Sequence, residues 1–172
     1  GTNVWIGAVS GGSMSNAANW RAESPKGYTV EELFTLHCVY DLRGLANGAV
    51  VTNDLTAGSS YPNETGNNTK QFTLVAGILA AGEPGDVWTI QRVGGKGLYF
   101  CSPCSLDIEG GTLVWDDNGA SDYYPYKVPH KYGSGKFLFK SVPYFWESVG
   151  YVHEGTLAFT NGGGTSTYRW QL

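Results

Sequence analysis

Apolar residues come along this chain in short runs, and almost every run stops at a segment dense in Gly, Asn, Asp, Ser or Pro. Those residues close turns, through positive φ or through side-chain bonds to the backbone. Runs rich in Val, Ile, Thr, Phe, Tyr and Trp predict strands over 4–9, 34–40, 49–52, 72–76, 87–91, 98–101, 112–115, 137–139, 156–159 and 168–172. No longer window shows helical period. Glu31, Glu32 and Leu33, just after Thr29, can start one helical turn and no more.

Two of the runs are near copies. EGGTLVWDDNG at 109–119 and HEGTLAFTNGG at 153–163 share Gly-Thr-Leu, an aliphatic, an aromatic and a Gly/Asn-rich turn. Upstream, Gly95-Lys96-Gly97-Leu98-Tyr99-Phe100 resembles Gly135-Lys136-Phe137-Leu138-Phe139. Thr112 and Thr156 lie 44 residues apart, which suits two coils of roughly 22 residues in a repeat architecture. Leu98, Leu113, Leu138 and Leu157 are then expected to point inward and stack. The fold class is all-β, expected as a right-handed parallel β-helix with an N-terminal cap, and a β-sandwich or jelly roll is the alternative. One domain over 1–172 suffices, with the cap and first strands in 1–48 and repeat coils in 49–172 around an aromatic insert at about 120–150.

Composition agrees with strands. Charged residues make up 15% against a usual quarter or so, while the 25 glycines are about twice the average share. The net charge is −4 with the 11 Lys and Arg scattered singly, which leaves no basic stripe for nucleic acid. No apolar run reaches the roughly 18 residues of a membrane-spanning helix. The chain opens on Gly-Thr, so a processed protein or a piece of a longer one is expected.

The N-terminal stretch adds a resemblance. Val4-Trp5-Ile6-Gly7, a Gly/Ser-rich gap, Asn16-Ala17-Ala18-Asn19-Trp20 and Pro25 form a series. It resembles the opening of proteins with autotransporter-associated β-strand repeats. Residues 52–60, Phe72-Thr73-Leu74 and the Gly-Gly-Thr-Leu strand at 110–113 continue the likeness. The resemblance implies a bacterial passenger-type β-helix, secreted or at the cell surface, and it carries over no catalytic site. The three cysteines and the aromatic segment from Tyr123 to Trp146 depart from that family's pattern.

Candidate chemistry is sparse. No nucleophile elbow, His-Glu-x-x-His or phosphate loop occurs. Asp116-Asp117 read as a solvated turn, with Ca²⁺ binding or hydrolysis as the alternatives, and Asp107, Glu109 and Asp116 as carboxylates that could share a face. His37, His130 and His153 read as isolated surface or core residues. Cys101-Ser-Pro-Cys104 has half-zinc-site or redox-pair spacing; the residues favour buried cysteines, with a disulfide or a metal as alternatives. The sequons at Asn63 and Asn67 read as polar loop. Tyr123, Tyr124, Tyr126, Tyr144, Phe145 and Trp146, with Asp116 and Asp117, form a candidate glycan platform, because sugar C–H faces pack on aromatic rings. Covering a sheet is the structural alternative for those rings. The expected function is a non-enzymatic extracellular surface module, adhesin-like or structural. A carbohydrate-binding module is the alternative, and a polysaccharide-active β-helix enzyme stands behind both on fold analogy alone. Expected partners are glycans or surface proteins, with no cofactor and no metal.

Overall fold

A computed structural model describes residues 1–7, 11–24, 26–34, 38–55, 59–60, 71–94, 98–116, 129–140, 149–159 and 169–171. At 59–60, 71–74, 98–103, 149–150, 159 and 169–171 only the backbone is described. The described residues are mostly β, with two mainly parallel sheets, one short α-helix and a single 3-10 turn at Ala17–Asn19. Strands β1 (Thr2–Trp5), β2 (Trp20–Glu23), β3 (Cys38–Asp41), β4 (Val50–Asn53), β5 (Ser59–Ser60), β6 (Gln71–Ala81) and β7 (Val87–Arg92) form the first half. Strands β8 (Leu98–Glu109), β9 (Thr112–Asp116), β10 (Pro129–Tyr132), β11 (Lys136–Phe139), β12 (Val149–Val152), β13 (Thr156–Phe159) and β14 (Arg169–Gln171) form the second.

From β6 onward the chain alternates strictly between the sheets. The larger sheet runs β14-β12-β10-β8-β6-β3-β1-β2 with β5 beside β6, and the smaller runs β13-β11-β9-β7-β4. Each strand pairs in parallel with the strand two further along the chain. Among the described residues the antiparallel pairs are β1 with β2 and β5 with β6. A jelly roll is built from antiparallel strands, so the parallel ladders run against that alternative.

The duplicated motif falls on this alternation. Lys136 pairs with both Thr112 and Thr156, so the 44-residue offset divides into steps of 24 and 20. The upstream alignment does not hold. Leu98–Phe100 belong to β8 in the larger sheet, whereas Phe137–Phe139 belong to β11 in the smaller. Gly135-Lys136-Phe137 stands instead beside Gly111-Thr112-Leu113. This slip reverses faces: Phe137 and Phe139 are buried, and Leu138 is only half-buried, because side chains alternate with period two. Leu113 points inward as expected and Leu157 packs against the core. Leu98 is described by its backbone alone.

One continuous core lies between the sheets. Trp88, Ile90, Leu113, Trp115, Phe137 and Phe139 enter it from the smaller sheet, and Ile78, Ala80, Cys104, Leu106 and Ile108 from the larger. Each fully buried side chain of this size contributes about 1.5–3 kcal/mol of transfer free energy. The smaller sheet's first strand is covered by residues 11–14, where Ser13 bridges to Thr52 and the Met14 amide donates to the Thr52 carbonyl at 2.9 Å. Asp54 pins this segment, accepting from the Ser13 and Ser15 hydroxyls and the Ser15 amide.

The N-terminal end of the core is closed by rings. Trp5 and Trp20 meet edge-to-face at 5.0 Å, and Trp20 meets Phe34 at 5.4 Å. The Trp20 indole N–H donates to the Met14 carbonyl, which satisfies its only polar group. Phe34 ends the short helix α1 (Val30–Phe34). Thr29 and Glu32 bond each other's backbone amides in a capping box, so the one helical turn expected from the sequence is present.

Connections from the larger sheet to the smaller are short: 82–86, 110–111, 133–135 and 153–155. They stack on one another, as the Gly82 amide donates to the Glu109 carbonyl and the Gly135 amide to the Ile108 carbonyl. Gly110, at φ 77°, sits so close beneath Gly82 that an added Cβ would collide with the Gly82 carbonyl oxygen. Gly85 has φ 98° and open space around it.

Two substitutions separate backbone conformation from stacking. Gly85→Ala should cost about 1–2 kcal/mol, the left-handed penalty alone. Gly110→Ala should cost clearly more, because the neighbouring turn must move as well. Urea unfolding of both variants measures the difference. Equal costs would mean that the short connections do not pack as described.

Candidate surface site

Alternation within β10 sends His130 and Tyr132 outward and Lys131 inward. On the neighbouring strand β12, Tyr151 pairs with His130 and Val152 with Lys131. Tyr132 and His153 therefore stand side by side one residue further on. A His-x-Tyr strand next to a Tyr-x-His strand makes a two-by-two checkerboard on the outer face of the larger sheet.

The rings stack across the strands. His130 lies against Tyr151 with centroids 4.7 Å apart and planes at 20°, and Tyr132 against His153 at 4.5 Å and 5°. These spacings are close to the 4.7–4.9 Å between neighbouring strands, so the sheet itself sets the stacking distance. Along the diagonal, His130 Nδ1 and His153 Nε2 are hydrogen-bonded at 2.9 Å, with the ring planes 12° apart. One imidazole supplies its N–H and the other its lone pair, an edge-to-edge contact between nearly coplanar rings. His153 and Tyr132 are exposed, His130 and Tyr151 half-buried.

Beside this array, on its β8 side, lies a hollow of about 400 Å³ lined by Ala76, Cys104, Ser105, His130 and Tyr132. It coincides with a break in the sheet. Val75 pairs with Phe100 but Gly77 with Ser105, so residues 101–104 of β8 are inserted opposite Ala76. The Cys-Ser-Pro-Cys motif is thus a bulge that interrupts the ladder between β6 and β8. Cys104 is fully buried, as the residues favoured, and Cys101 is described by its backbone alone. Among the described residues no three His, Cys, Asp or Glu side chains converge as a metal site would require. The two imidazole nitrogens could fill two positions of the four that a structural zinc takes.

Lys131 holds the array from beneath. The side chain is fully buried, and its ammonium donates to the backbone carbonyls of Tyr132, Gly133 (2.8 Å) and Glu154 (3.4 Å). It thereby ties the connection after β10 to the connection after β12. Burial pushes its pKa below the ordinary 10.5, with Asp107, Glu109 and Glu154 pulling the other way.

The residues singled out from the sequence divide. Tyr123, Tyr124, Tyr126, Tyr144, Phe145, Trp146 and Asp117 lie outside the described residues, as do His37 and both sequons. Asp116 ends β9 in the smaller sheet, whereas Asp107 and Glu109 are on β8 in the larger. The three carboxylates therefore share no face. His130 and His153 are not isolated but bonded to each other. Tyr132 falls within the aromatic segment singled out from the sequence but not among the platform residues, and Tyr151 falls outside it, because Pro129–Tyr132 and Val149–Val152 read as loop. The signal that finds them is HKY at 130–132 and YVH at 151–153, mirrored motifs 21 residues apart, close to the coil length of roughly 22 residues that the sequence repeat suggests.

Lys131→Met should destabilise by about 1–3 kcal/mol at pH 7, since it strips the donor from three carbonyls. Its pH dependence is distinctive. With the folded pKa below 10.5, the unfolded chain holds the extra proton in the window just under pH 10.5, so wild-type stability rises with pH there. The gap between wild type and Lys131→Met should widen across that window in chemical denaturation, and a constant gap would contradict the burial. Comparison with family models, with curated proteins and with solved structures finds no match to this chain.

Proposed function

We propose that this chain is a non-enzymatic extracellular surface module, an adhesin-like or structural segment built as a right-handed parallel β-helix of the autotransporter-repeat type. The observation that carries this reading is the register of the duplicated motif. Thr112, Lys136 and Thr156 stand in one row on three successive strands of the smaller sheet, with the intervening strands in the larger sheet. Strict alternation with short parallel pairing at a step of roughly 20–25 residues is how solenoids of this kind wind. The resemblance of the N-terminal stretch to autotransporter repeats supplies the location. No helix among the described residues is long and apolar enough to cross a membrane.

The checkerboard supports carbohydrate binding as a property of the same module. Rings with polar edges, next to a hollow of some hundreds of Å³, are the usual furniture of sugar sites. An enzymatic role has less behind it. His130 is hydrogen-bonded to a second imidazole rather than to a nucleophile or an orienting carboxylate, the arrangements that nucleophilic catalysis uses.

Antibody raised against the folded domain tests the location. Cells that produce the chain should label without permeabilisation and lose the label on brief protease treatment. Labelling only after permeabilisation would overturn the surface assignment.

A further inference from the structure

The ring array on β10 and β12 stops abruptly at β8. His130 and Tyr132 each have a stacked partner on the β12 side. On the other side their pairing partners are Ser105 and Asp107, which carry no ring. All four rings are near parallel and stack from strand to strand. The second faces of His130 and Tyr132 therefore look toward β8, over Ser105. The hollow of about 400 Å³ lies there, and neither Tyr151 nor Val152 of β12 lines it. Its floor is the interrupted ladder at Ala76 and Cys104, where Ala76 is small and the Cys104 side chain is buried in the core.

We propose that this hollow binds a neutral oligosaccharide, one pyranose ring stacking on His130 and Tyr132 as the next ring of the array. Three observations select a sugar. The available wall is the face of two rings, which accepts the C–H face of a pyranose. The rim carries the Ser105 hydroxyl, the Tyr132 phenol and imidazole nitrogen, which exchange hydrogen bonds with sugar hydroxyls. Among the described residues no Lys or Arg lines the hollow, the adjacent Lys131 ammonium is buried beneath the sheet, and the chain carries −4. A sulfated or uronic polymer, or a nucleotide with its phosphates, would find no counter-charge among these residues. The site differs from the aromatic segments singled out from sequence, although those segments lead directly into β10 and β12. The inference rests on the surface-module reading for its setting alone, since the ring geometry is independent of where the chain resides.

Calorimetric titration of the purified chain with maltohexaose, cellohexaose, chitohexaose and a sulfated heparin hexasaccharide tests it. At least one neutral hexasaccharide should bind saturably, and the sulfated probe should not. Tyr132→Ala and His130→Ala should each weaken binding by about tenfold, the scale of one stacked ring. Ser105→Phe supplies the absent ring from the protein itself. It should keep the thermal midpoint of the wild type and abolish binding. If none of the neutral sugars binds, if only the sulfated probe binds, or if Tyr132→Ala and folded Ser105→Phe bind as the wild type does, the proposal is overturned. Surface labelling reports separately: labelled cells with no sugar binding would leave the module reading standing, and sugar binding by a chain found only inside cells would leave the site standing.

Discussion

Everything described here depends on parallel pairing between strands separated by one strand of the opposite sheet. A parallel ladder forces the chain to travel to the far sheet and return before it can pair again, and that journey fixes the step at which side chains recur. The smaller sheet shows this most plainly. The amides of Thr112, Lys136 and Thr156 donate to the carbonyls of Asp86, Gly111 and Gly135, one strand back in each case. Once those bonds set the register, inward positions superpose on inward positions. Trp88, Leu113 and Phe137 form one inner row and Ile90, Trp115 and Phe139 another. The same register brings the short connections together, which is why a glycine is required at Gly110.

The outer face follows from the same constraint. A strand pair in register holds rings at the strand spacing with no further adjustment, so two His-Tyr pairs become an ordered array as soon as β10 and β12 pair. Lys131 is the counterpart on the inner side. A buried ammonium is costly, and here three backbone carbonyls from two successive connections surround it. The strand that displays His130 and Tyr132 is thus anchored by the residue between them. Where the register breaks, opposite Ala76, the sheet leaves a hollow rather than a continuous surface.

Much of the fold was legible in the sequence. Strands with β-branched and aromatic runs, such as Val87–Arg92, Thr112–Asp116 and Thr156–Phe159, were found within a residue, because both pattern and propensity favour them. The one helical turn after Thr29 was readable too, from Glu31, Glu32 and Leu33, whereas the Thr29–Glu32 capping box came from the structure. The surface array was not. PHKY and VGYV carry Pro, His, Lys and Gly, poor strand formers that extend only because β8 and β14 offer partners on either side. Pairing is a property of the neighbour, and a window of sequence does not contain it. The misaligned Gly-Lys segments failed differently: similar residues occurred in different sheets, and only the hydrogen-bonding partner tells them apart.

Through-hydrogen-bond scalar couplings measured by NMR on the deuterated chain test the register most directly. Couplings should connect the amide nitrogen of Thr112 with the carbonyl carbon of Asp86, that of Lys136 with Gly111 and that of Thr156 with Gly135. Coupling from Thr156 to Gly111, which would place the two copies of the motif side by side without Lys136 between them, would contradict the account, and so would reciprocal antiparallel pairs.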